Sequence, residues 1–394
     1  MMEVVYSAAN PLGGGGLAHV VARAVTGIYR AGYLKKTIVY GNRQREVPKR
    51  YILNVWFQPT KVFSSLPARY YYSLKRIQLD WVTARWIGWS GCDLFHGWSH
   101  ASLQSLKMVR RLGAIGLVER ASPHPDYTDD ILSEEYERFG ARGQAGQTWY
   151  PMNRINAIQR DRTTAMEELR LADYIVVQSD FVARTLIDRG IEAGKVVTIP
   201  RAADCERFSP FPGEPTAGPF RVIYVGEVSI RKGIRYLIEA WRRLKLRDAE
   251  LLIVGSVHDE VKPWLATLPP DPTIRFAGFV PDPARCYQDS SVFVLPSLIE
   301  GSAKVTYEAM ACGLPAIVTP NAGSPVRDDV DGYVVPIRDV AAIEEKIRLL
   351  YDDEERRRMM GRQARERALE FTWDRYERSL IEAYDRIWAK AGRA

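Results

Sequence analysis

The sequence has little of what marks several large classes of protein. Its four cysteines (Cys92, Cys205, Cys286 and Cys312) are scattered without a CxxC pair, which predicts neither a disulfide framework nor a zinc site. No run of about 18 apolar residues is present, so a membrane-spanning helix is excluded. The opening residues 1–10 contain no basic stretch followed by an apolar one. We therefore expect no signal peptide and a cytoplasmic protein.

What the chain does contain is typical of a globular protein of more than one domain. It has 394 residues, of which 46% are hydrophobic and 26% charged. That composition is far from disorder, and the length exceeds what one ordinary core needs, so two domains are expected.

The positive charge is concentrated at the start of the chain. Residues 1–120 hold 17 Lys+Arg against 5 Asp+Glu, although the net charge of the whole chain is only +7. Within 49–98 the cations are interleaved with aromatic residues: Lys49, Arg50, Tyr51, Trp56, Phe57, Lys61, Arg69, Tyr70, Tyr71, Tyr72, Lys75, Arg76, Trp81, Arg85, Trp86 and Trp89. The pattern fits a solvated basic face over an aromatic core. It equally fits a surface that meets an anionic partner, such as a lipid leaflet, a lipid-phosphate acceptor or nucleic acid. Nucleic acid is least favoured, because no nucleic-acid-binding signature accompanies the charge.

Short β-branched runs alternate with stretches of helical length in both halves of the chain. Val4–Ser7 and Tyr174–Gln178 are such runs in the first half, and Arg221–Gly226 and Val292–Leu295 in the second. This alternation is typical of doubly wound parallel sheets. Residues 208–220 are rich in Pro and Gly, as linkers are. We predict an α/β protein of two halves, followed by a helix from Trp373 with one apolar face.

Ligands of such sheets bind at the carboxyl ends of the strands, and three motifs fall there. The glycines of "NPLGGGGLAHV" (10–20) follow the first strand and open a helix, a position that suits close backbone approach to an anion. The stretch is neither GxGxxG nor a P-loop, and a plain flexible turn explains it equally well. In "YVGEVSIRKG" (224–233), Arg231 and Lys232 stand where a strand gives way to a helix, which suits a diphosphate.

The third motif, "PSLIEGSAKVTYEAMACGLPAIVT" (296–319), places Glu300 in a loop after a strand and Glu308 on the next helix. Carboxylates accept hydrogen bonds from vicinal diols, while the free amides of a helix start hold phosphates. The stretch therefore predicts a site in which carboxylates bind the hydroxyls of a sugar, while backbone amides and cations beside them bind phosphates.

With these motifs the chain resembles the retaining glycosyltransferases of family 4, which have the GT-B fold of two facing Rossmann-like domains. The Glu-x7-Glu stretch followed by "EAMACGLPAIVT" is the most specific match, and "AGSPVRDDVDGYVVP" (322–336) and "DLFHGWSH" (93–100) also resemble family segments. The resemblance implies an acceptor-side domain over 1–205, a donor domain over 206–372, and a helix over 373–394 that packs back on the first domain. It also implies a hexosyltransferase that moves a sugar from a nucleotide-diphosphate sugar to a glycan, lipid-linked or polysaccharide acceptor. The expected reaction retains the anomeric configuration and uses no metal or other cofactor.

Roles follow from the same resemblance. Glu300 would contact the hydroxyls of the donor sugar and Glu308 the ribose diol, while Lys232 and Arg231 would stabilise the departing diphosphate. His96 would lie near the transferred sugar. The remaining donor-binding candidates form loops and helix starts around the phosphates and the base: Gly13, Gly14, Gly15, Gly16, Gly226, Ser302, Ala303, Lys304, Val305, Thr306, Phe279 and Val280.

Three departures from the family pattern stand out. Glu227 occupies a slot that is commonly Arg, Arg201-Ala202 replaces the usual Asn-Gly, and Lys304 takes a place that is normally apolar or small. Two other functions on this fold therefore stay open, a sugar-nucleotide 2-epimerase and a catalytically silent sugar-nucleotide-binding protein. The basic, aromatic N-terminal half favours a transferase with an anionic or membrane-bound acceptor, and hence contact with the inner face of the membrane.

Overall fold

A computed structural model describes residues 2–55, 68–139, 152–212 and 218–392. These residues form two parallel β-sheets, each covered by helices on its faces. Of the basic and aromatic residues noted above, Trp56, Phe57 and Lys61 lie outside the described residues. Residues 213–217 of the predicted linker also lie outside them.

The first sheet has seven strands in the order β3-β2-β1-β4-β5-β6-β7. They are β1 (Val4–Ala8), β2 (Leu34–Val39), β3 (Ile52–Asn54), β4 (Leu94–Trp98), β5 (Ile115–Arg120), β6 (Tyr174–Val177) and β7 (Val196–Thr198). All neighbouring strands run parallel. The central strands are buried on both faces, which explains why they read as continuous apolar runs.

Six helices connect these strands. They are α1 (Leu17–Arg30), α2 (Ala68–Ser90), α3 (Leu103–Arg111), α4 (Pro125–Arg138), α5 (Met152–Leu171) and α6 (Asp180–Ile187). Helix α1 shows why they form, because Val21, Val25 and Ile28 recur at helical spacing and are fully buried against the sheet.

The second sheet has six parallel strands in the order β10-β9-β8-β11-β12-β13. They are β8 (Phe220–Val225), β9 (Ala249–Val254), β10 (Ile274–Gly278), β11 (Val292–Leu295), β12 (Ala316–Val318) and β13 (Gly332–Val334). The helices of this half are α7 (Ile234–Leu244), α8 (Lys262–Ala266), α9 (Ala284–Gln288), α10 (Lys304–Ala311), α11 (Val340–Asp352) and α12 (Glu354–Ala368). In both sheets the strand order reverses beside the first strand, β1 or β8, and that reversal opens a crevice at the carboxyl ends.

The last helix, α13 (Trp373–Lys390), leaves the second domain and packs against α1 of the first. Leu380, Tyr384 and Ile387 on its apolar face are buried in the core beneath α1. The buried Glu377 forms ion pairs with Arg23 and Arg30 of α1, which fix the position of α13. The predicted fold, two facing doubly wound sheets with a C-terminal helix that returns to the first domain, is confirmed.

Helix α4 crosses in the opposite direction, from the first domain onto the second. Its Glu135 is fully buried and accepts hydrogen bonds from Tyr236 Oη and Arg338 Nε, each at 2.7 Å. Tyr136 Oη donates to Glu260 at 3.0 Å. Each domain thus contributes one helix to the other's surface, and the two sheets face each other across the cleft between them.

Candidate active site in the interdomain cleft

The two cations predicted to bind a diphosphate lie where β8 passes into α7. Residues Ile230–Lys232 form one turn of 3-10 helix, which ends at Gly233 with φ +66°. A Cβ at Gly233 would lie 2.0 Å from the carbonyl oxygen of Pro296, so only glycine allows this turn to touch the end of β11. The close approach brings the 231–232 turn against the loop that carries Glu300.

Glu300 is held between these two cations. Its Oε1 lies 2.5 Å from Lys232 Nζ and 2.5 Å from Arg231 Nη1. Arg231 also donates to the carbonyl of Ile299 at 2.9 Å. Lys232 is buried, and burial lowers the pKa of its ammonium while the carboxylate of Glu300 acts in the opposite direction. The acid and both cations predicted from separate motifs therefore form one cluster.

Glu308 lies in the second turn of α10 and is buried. It forms an ion pair with Lys304 one turn earlier, and the Tyr287 hydroxyl lies 3.5 Å from its Oε2. Lys304, whose role the sequence left open between a donor contact and solvent, thus neutralises Glu308 in this arrangement.

The amides at the start of α10 are not all available to a ligand. Ala303 N–H donates to the carbonyl of Ala322 and Thr306 N–H to that of Ala303, both at 3.0 Å. The amides of Lys304 and Val305 occupy the first turn, where a helix leaves its amides without internal partners. Ser302 precedes them, and its hydroxyl lies 3.1 Å from the Tyr307 hydroxyl.

The glycine loop connects β1 to α1 in the first domain. Gly13, Gly14 and Gly16 have φ of 89°, 122° and 61°, which other residues rarely adopt, and Gly14–Gly16 are exposed. The loop ends directly at α1, as predicted. On the second domain Gly226 directly follows β8, with φ 151°. Phe279, which follows β10, exposes 73% of its surface, while Val280 beside it is half-buried.

His96 is not brought to an open surface. It lies on β4 with no exposed area, its Nδ1 2.6 Å from the Tyr384 hydroxyl and its Nε2 3.5 Å from Glu119 Oε2. Glu119 accepts its hydrogen bonds from Tyr6 Oη and Gln178 Nε2. In this arrangement His96 ties the first sheet to α13 and does not join the Glu300 cluster.

Two side chains near the site were not assigned a role from the sequence. Arg201, in the segment that crosses between domains, donates from Nη1 to the carbonyl of Ser302 at 3.3 Å. His19, just after the glycine loop, packs edge-on against Trp373 with ring centroids 4.5 Å apart. The only sequence signal for Arg201 was its replacement of a usual asparagine.

A separate cavity of about 450 Å³ lies at another part of the interdomain seam. Ser179, Arg184, Tyr307, Gly323 and Phe371 are among its lining residues. None of Lys232, Glu300 and Glu308 lines it, so it is distinct from the carboxylate and cation cluster.

Within the described ranges, no group of three or more His, Cys, Asp or Glu is placed to hold a metal ion. No helix in this part of the chain is both long and apolar enough to cross a membrane.

Comparison with solved structures gives the class of fold. The sucrose-phosphate synthase of Thermosynechococcus elongatus superposes with a TM-score of 0.69 at 20% identity, covering 99% of this chain and 100% of that one. Anabaena Alr3699/HepE, solved with UDP and glucose, superposes with a TM-score of 0.67 at 16% identity over 98% of this chain and 100% of the other. The architecture is thus that of the GT-B glycosyltransferases.

The sequence comparisons give the family. Residues 207–367 match the family described as glycosyl transferases group 1. The match lies within the second of the two α/β halves and leaves the first half outside it.

Curated relatives match over part of their length. The putative colanic acid biosynthesis glycosyltransferase WcaL of Escherichia coli is 29% identical over 192 residues, 45% of this chain and 47% of the relative. The capsular polysaccharide biosynthesis glycosyltransferase CapM of Staphylococcus aureus is 33% identical over 155 residues, 38% and 41% of the two chains. The D-inositol 3-phosphate glycosyltransferase of Geodermatophilus obscurus is 30% identical over 240 residues, 54% and 52%. The chain matches about half the length of these relatives.

Proposed function

We propose that the protein transfers a hexosyl group from a nucleotide-diphosphate sugar to a glycan, lipid-linked or polysaccharide acceptor. The observation that carries the proposal is the meeting of Glu300 with Arg231 and Lys232, beside a buried Glu308, at the carboxyl ends of β8 and β11. Carboxylates for hydroxyl groups and cations for phosphates are thus both carried by the connections that follow β8 and β11, as a sugar nucleotide requires.

Charge development on the leaving diphosphate dominates the barrier to glycosyl transfer. Lys232 and Arg231 are already oriented by Glu300, so they stabilise that charge without reorganising when the bond breaks. Glu300 accepts hydrogen bonds from the hydroxyls of the donor sugar, and Glu308 accepts from the ribose diol. Because Arg231 and Lys232 supply positive charge to the diphosphate, we propose that turnover needs no divalent metal and continues in excess chelator.

We propose retention at the anomeric carbon, which is supported by the match of residues 207–367 to the group 1 glycosyltransferases. Proton NMR of the first product formed distinguishes an axial from an equatorial linkage. A product of inverted configuration contradicts this part of the proposal.

The acceptor side is proposed to meet an anionic membrane. Helix α2 exposes an apolar stripe at helical spacing, in which Leu74, Ile77, Trp81 and Trp89 have 40%, 44%, 57% and 84% of their surface exposed. Arg85 is exposed on the same face. An exposed aromatic stripe with cations on a strongly basic domain suits insertion among anionic headgroups. We infer a cytoplasmic protein that reaches its lipid-linked or polysaccharide acceptor at the inner membrane face.

The test is a panel of UDP-, GDP- and ADP-sugars, assayed for nucleotide release with and without lipid-linked acceptors. Acceptor-dependent release of one nucleoside diphosphate supports a transferase. Conversion of the sugar nucleotide to its 2-epimer without acceptor identifies the epimerase instead. Binding without any turnover across the panel contradicts a catalytic role.

A further inference from the structure

Arg201 lies in the cleft as a cation without a partner of opposite charge. It follows β7 and Pro200 in the segment that crosses between the domains, beside the bridge between Ala203 and Thr372. One guanidinium nitrogen donates to the carbonyl of Ser302 at 3.3 Å, while its Nε is shielded from solvent without a hydrogen-bond partner. Among the described residues it forms no ion pair at contact distance.

The charges around Arg201 come from both domains. Burial lowers the pKa of its guanidinium, and the electrostatic effects of Tyr307, Glu308, Glu119 and Glu300 oppose that shift. These acids are therefore near enough to act on Arg201 but do not pair with it.

Other cations from different elements converge on the same place. Burial lowers the pKa of His19, and the positive charges of Arg23, Lys304 and Arg201 lower it further. His19 lies in the first turn of α1 and Lys304 begins α10, so groups at the starts of helices in both halves of the chain act on this region. Arg23 pairs with Asp374 and Glu377, and Lys304 pairs with Glu308, whereas Arg201 has no such pair among the described residues and is the cation left to bind an anion.

The charge balance of the donor site points the same way. Arg231 and Lys232 share Glu300, and Lys304 pairs with Glu308, so these five groups leave only a single positive charge. Glu227, exposed directly after Gly226, adds a negative charge at the end of β8. A departing nucleoside diphosphate carries more negative charge than this cluster balances.

We propose that Arg201 binds the distal phosphate of the donor's diphosphate, with its unpartnered Nε–H and its remaining guanidinium hydrogens as donors. This assignment rests on the proposed function. It gives the crossing segment a direct part in donor binding, so the residue that replaces the family's usual asparagine compensates for the acid at Glu227. Arginine suits this task because its planar fork donates two parallel hydrogen bonds to a phosphate.

Arg201 could instead have a purely structural role, in which its hydrogen bond to the carbonyl of Ser302 holds the crossing segment in place. Loss of that hydrogen bond would lower the affinity of every ligand of the cleft alike. Loss of a phosphate ligand weakens only those ligands that carry the distal phosphate. The number of phosphates on the probe therefore separates the two roles.

The experiment measures the Kd of UDP, GDP and ADP and of the matching monophosphates by titration calorimetry, using the whole protein. For the base that binds best, Arg201→Gln is expected to weaken the diphosphate about tenfold and the monophosphate less than about twofold. Arg201→Lys keeps the charge but loses the fork, and a loss of about threefold for the diphosphate alone is expected. Arg207→Gln, on the same segment but paired with Asp282 at the surface, is the matched control and should change neither.

Equal losses for diphosphate and monophosphate, or no loss for either, overturn the assignment while leaving the proposed function intact. If Arg201→Gln does not fold, as judged by its thermal transition, the Arg201→Lys ratio decides by the same criterion. A wild-type protein that binds none of the three diphosphates instead contradicts the proposed function itself.

Discussion

Lys232 Nζ lies 2.5 Å from Glu300 Oε1, although the two residues belong to different strand-to-helix connections of the second sheet. The pair exists because β8 and β11 are adjacent in that sheet, so their carboxyl ends open at the same edge. The carboxylate of Glu300 compensates the ammonium of Lys232, which burial would otherwise disfavour. The sugar hydroxyls and the diphosphate can then bind to groups already held in position.

Removal of the Lys232 ammonium should reduce catalysis far more than binding. We expect Lys232→Ala to lower kcat/KM by an amount that corresponds to a loss of roughly 3 kcal/mol of transition-state stabilisation. That loss is comparable to the loss of one oxyanion donor. Steady-state kinetics with the preferred donor measure this. Lys262→Ala, an exposed lysine paired with Asp259, is the control. An unchanged kcat/KM in Lys232→Ala would remove Lys232 from the mechanism.

The two glutamates should differ in which kinetic parameter they control. Glu308→Gln is expected mainly to weaken nucleotide binding, because the ribose diol is contacted in the ground state and transition state alike. Glu300→Gln is expected to depress kcat, because this acid faces the reacting sugar and orients both Arg231 and Lys232. Measurement of kcat and of nucleotide Kd for both variants tests the division. Identical profiles would show that the two acids do not have separate roles.

The hydroxyl of Tyr384 should stabilise the first domain through His96. Tyr384→Phe leaves His96 Nδ1 buried without this partner, at a cost of about 1–3 kcal/mol in the free energy of unfolding. Urea denaturation measures the difference. Tyr351→Phe removes a solvent-exposed hydrogen bond to the Arg247 carbonyl and should cost less than about 1 kcal/mol. Equal effects of the two substitutions would argue against a buried bond between β4 and α13.

The buried pair of Glu135 and Arg338 should hold α4 on the second domain. Arg338→Leu leaves a buried carboxylate without its cation, which typically costs 3–5 kcal/mol, so we expect α4 to detach and the radius of gyration to rise. Small-angle scattering with and without nucleotide measures this. Arg189→Leu breaks the exposed ion pair between Arg189 and Asp130, which also lies on α4, and should change the radius of gyration little. An unchanged scattering profile in Arg338→Leu would mean that this pair does not hold α4 on the second domain.

The α2 stripe should determine membrane binding. We expect the protein to float with vesicles of anionic lipid and not of neutral lipid, and salt to weaken the interaction. Replacing Trp81 and Trp89 together with Ser should reduce partitioning at least tenfold, since each buried aromatic contributes about 2 kcal/mol. Leu369→Ser, exposed on the second domain, serves as control. Absence of binding to anionic vesicles at low salt would place the enzyme in solution.

The sequence predicted those parts of the structure that leave a local signal. Strands such as Val292–Leu295 are buried on both faces, so their apolar runs are visible in isolation. The meeting of Glu300 with Arg231 and Lys232 followed from a general rule about the carboxyl ends of parallel strands. By contrast, β10 exposes Arg275 and Phe276 and has no strong strand pattern.

Contacts between distant parts of the chain left no such signal. The hydrogen bond from Arg338 to Glu135 depends on how the two domains pack. Neither the segment around Glu135 nor the one around Arg338 encodes that packing by itself. The same holds for the neighbourhood of Arg201, whose surrounding acids come from both domains. Burial of His96 likewise depends on the returning helix α13, so a motif that resembles a cleft-facing histidine gave no indication of it.

The return of α13 also constrains how the protein is made. A ribosome completes the first sheet long before it adds Leu380 and Tyr384, which fill the core under α1. The first domain therefore emerges with an open apolar groove that only a segment synthesised much later can cover. Contacts between residues this distant in sequence slow folding. An exposed apolar groove also binds chaperones or promotes misassembly with other chains. Nascent chains stalled before residue 373 should accordingly be sensitive to protease in the first domain and become resistant when synthesis continues through the last helix.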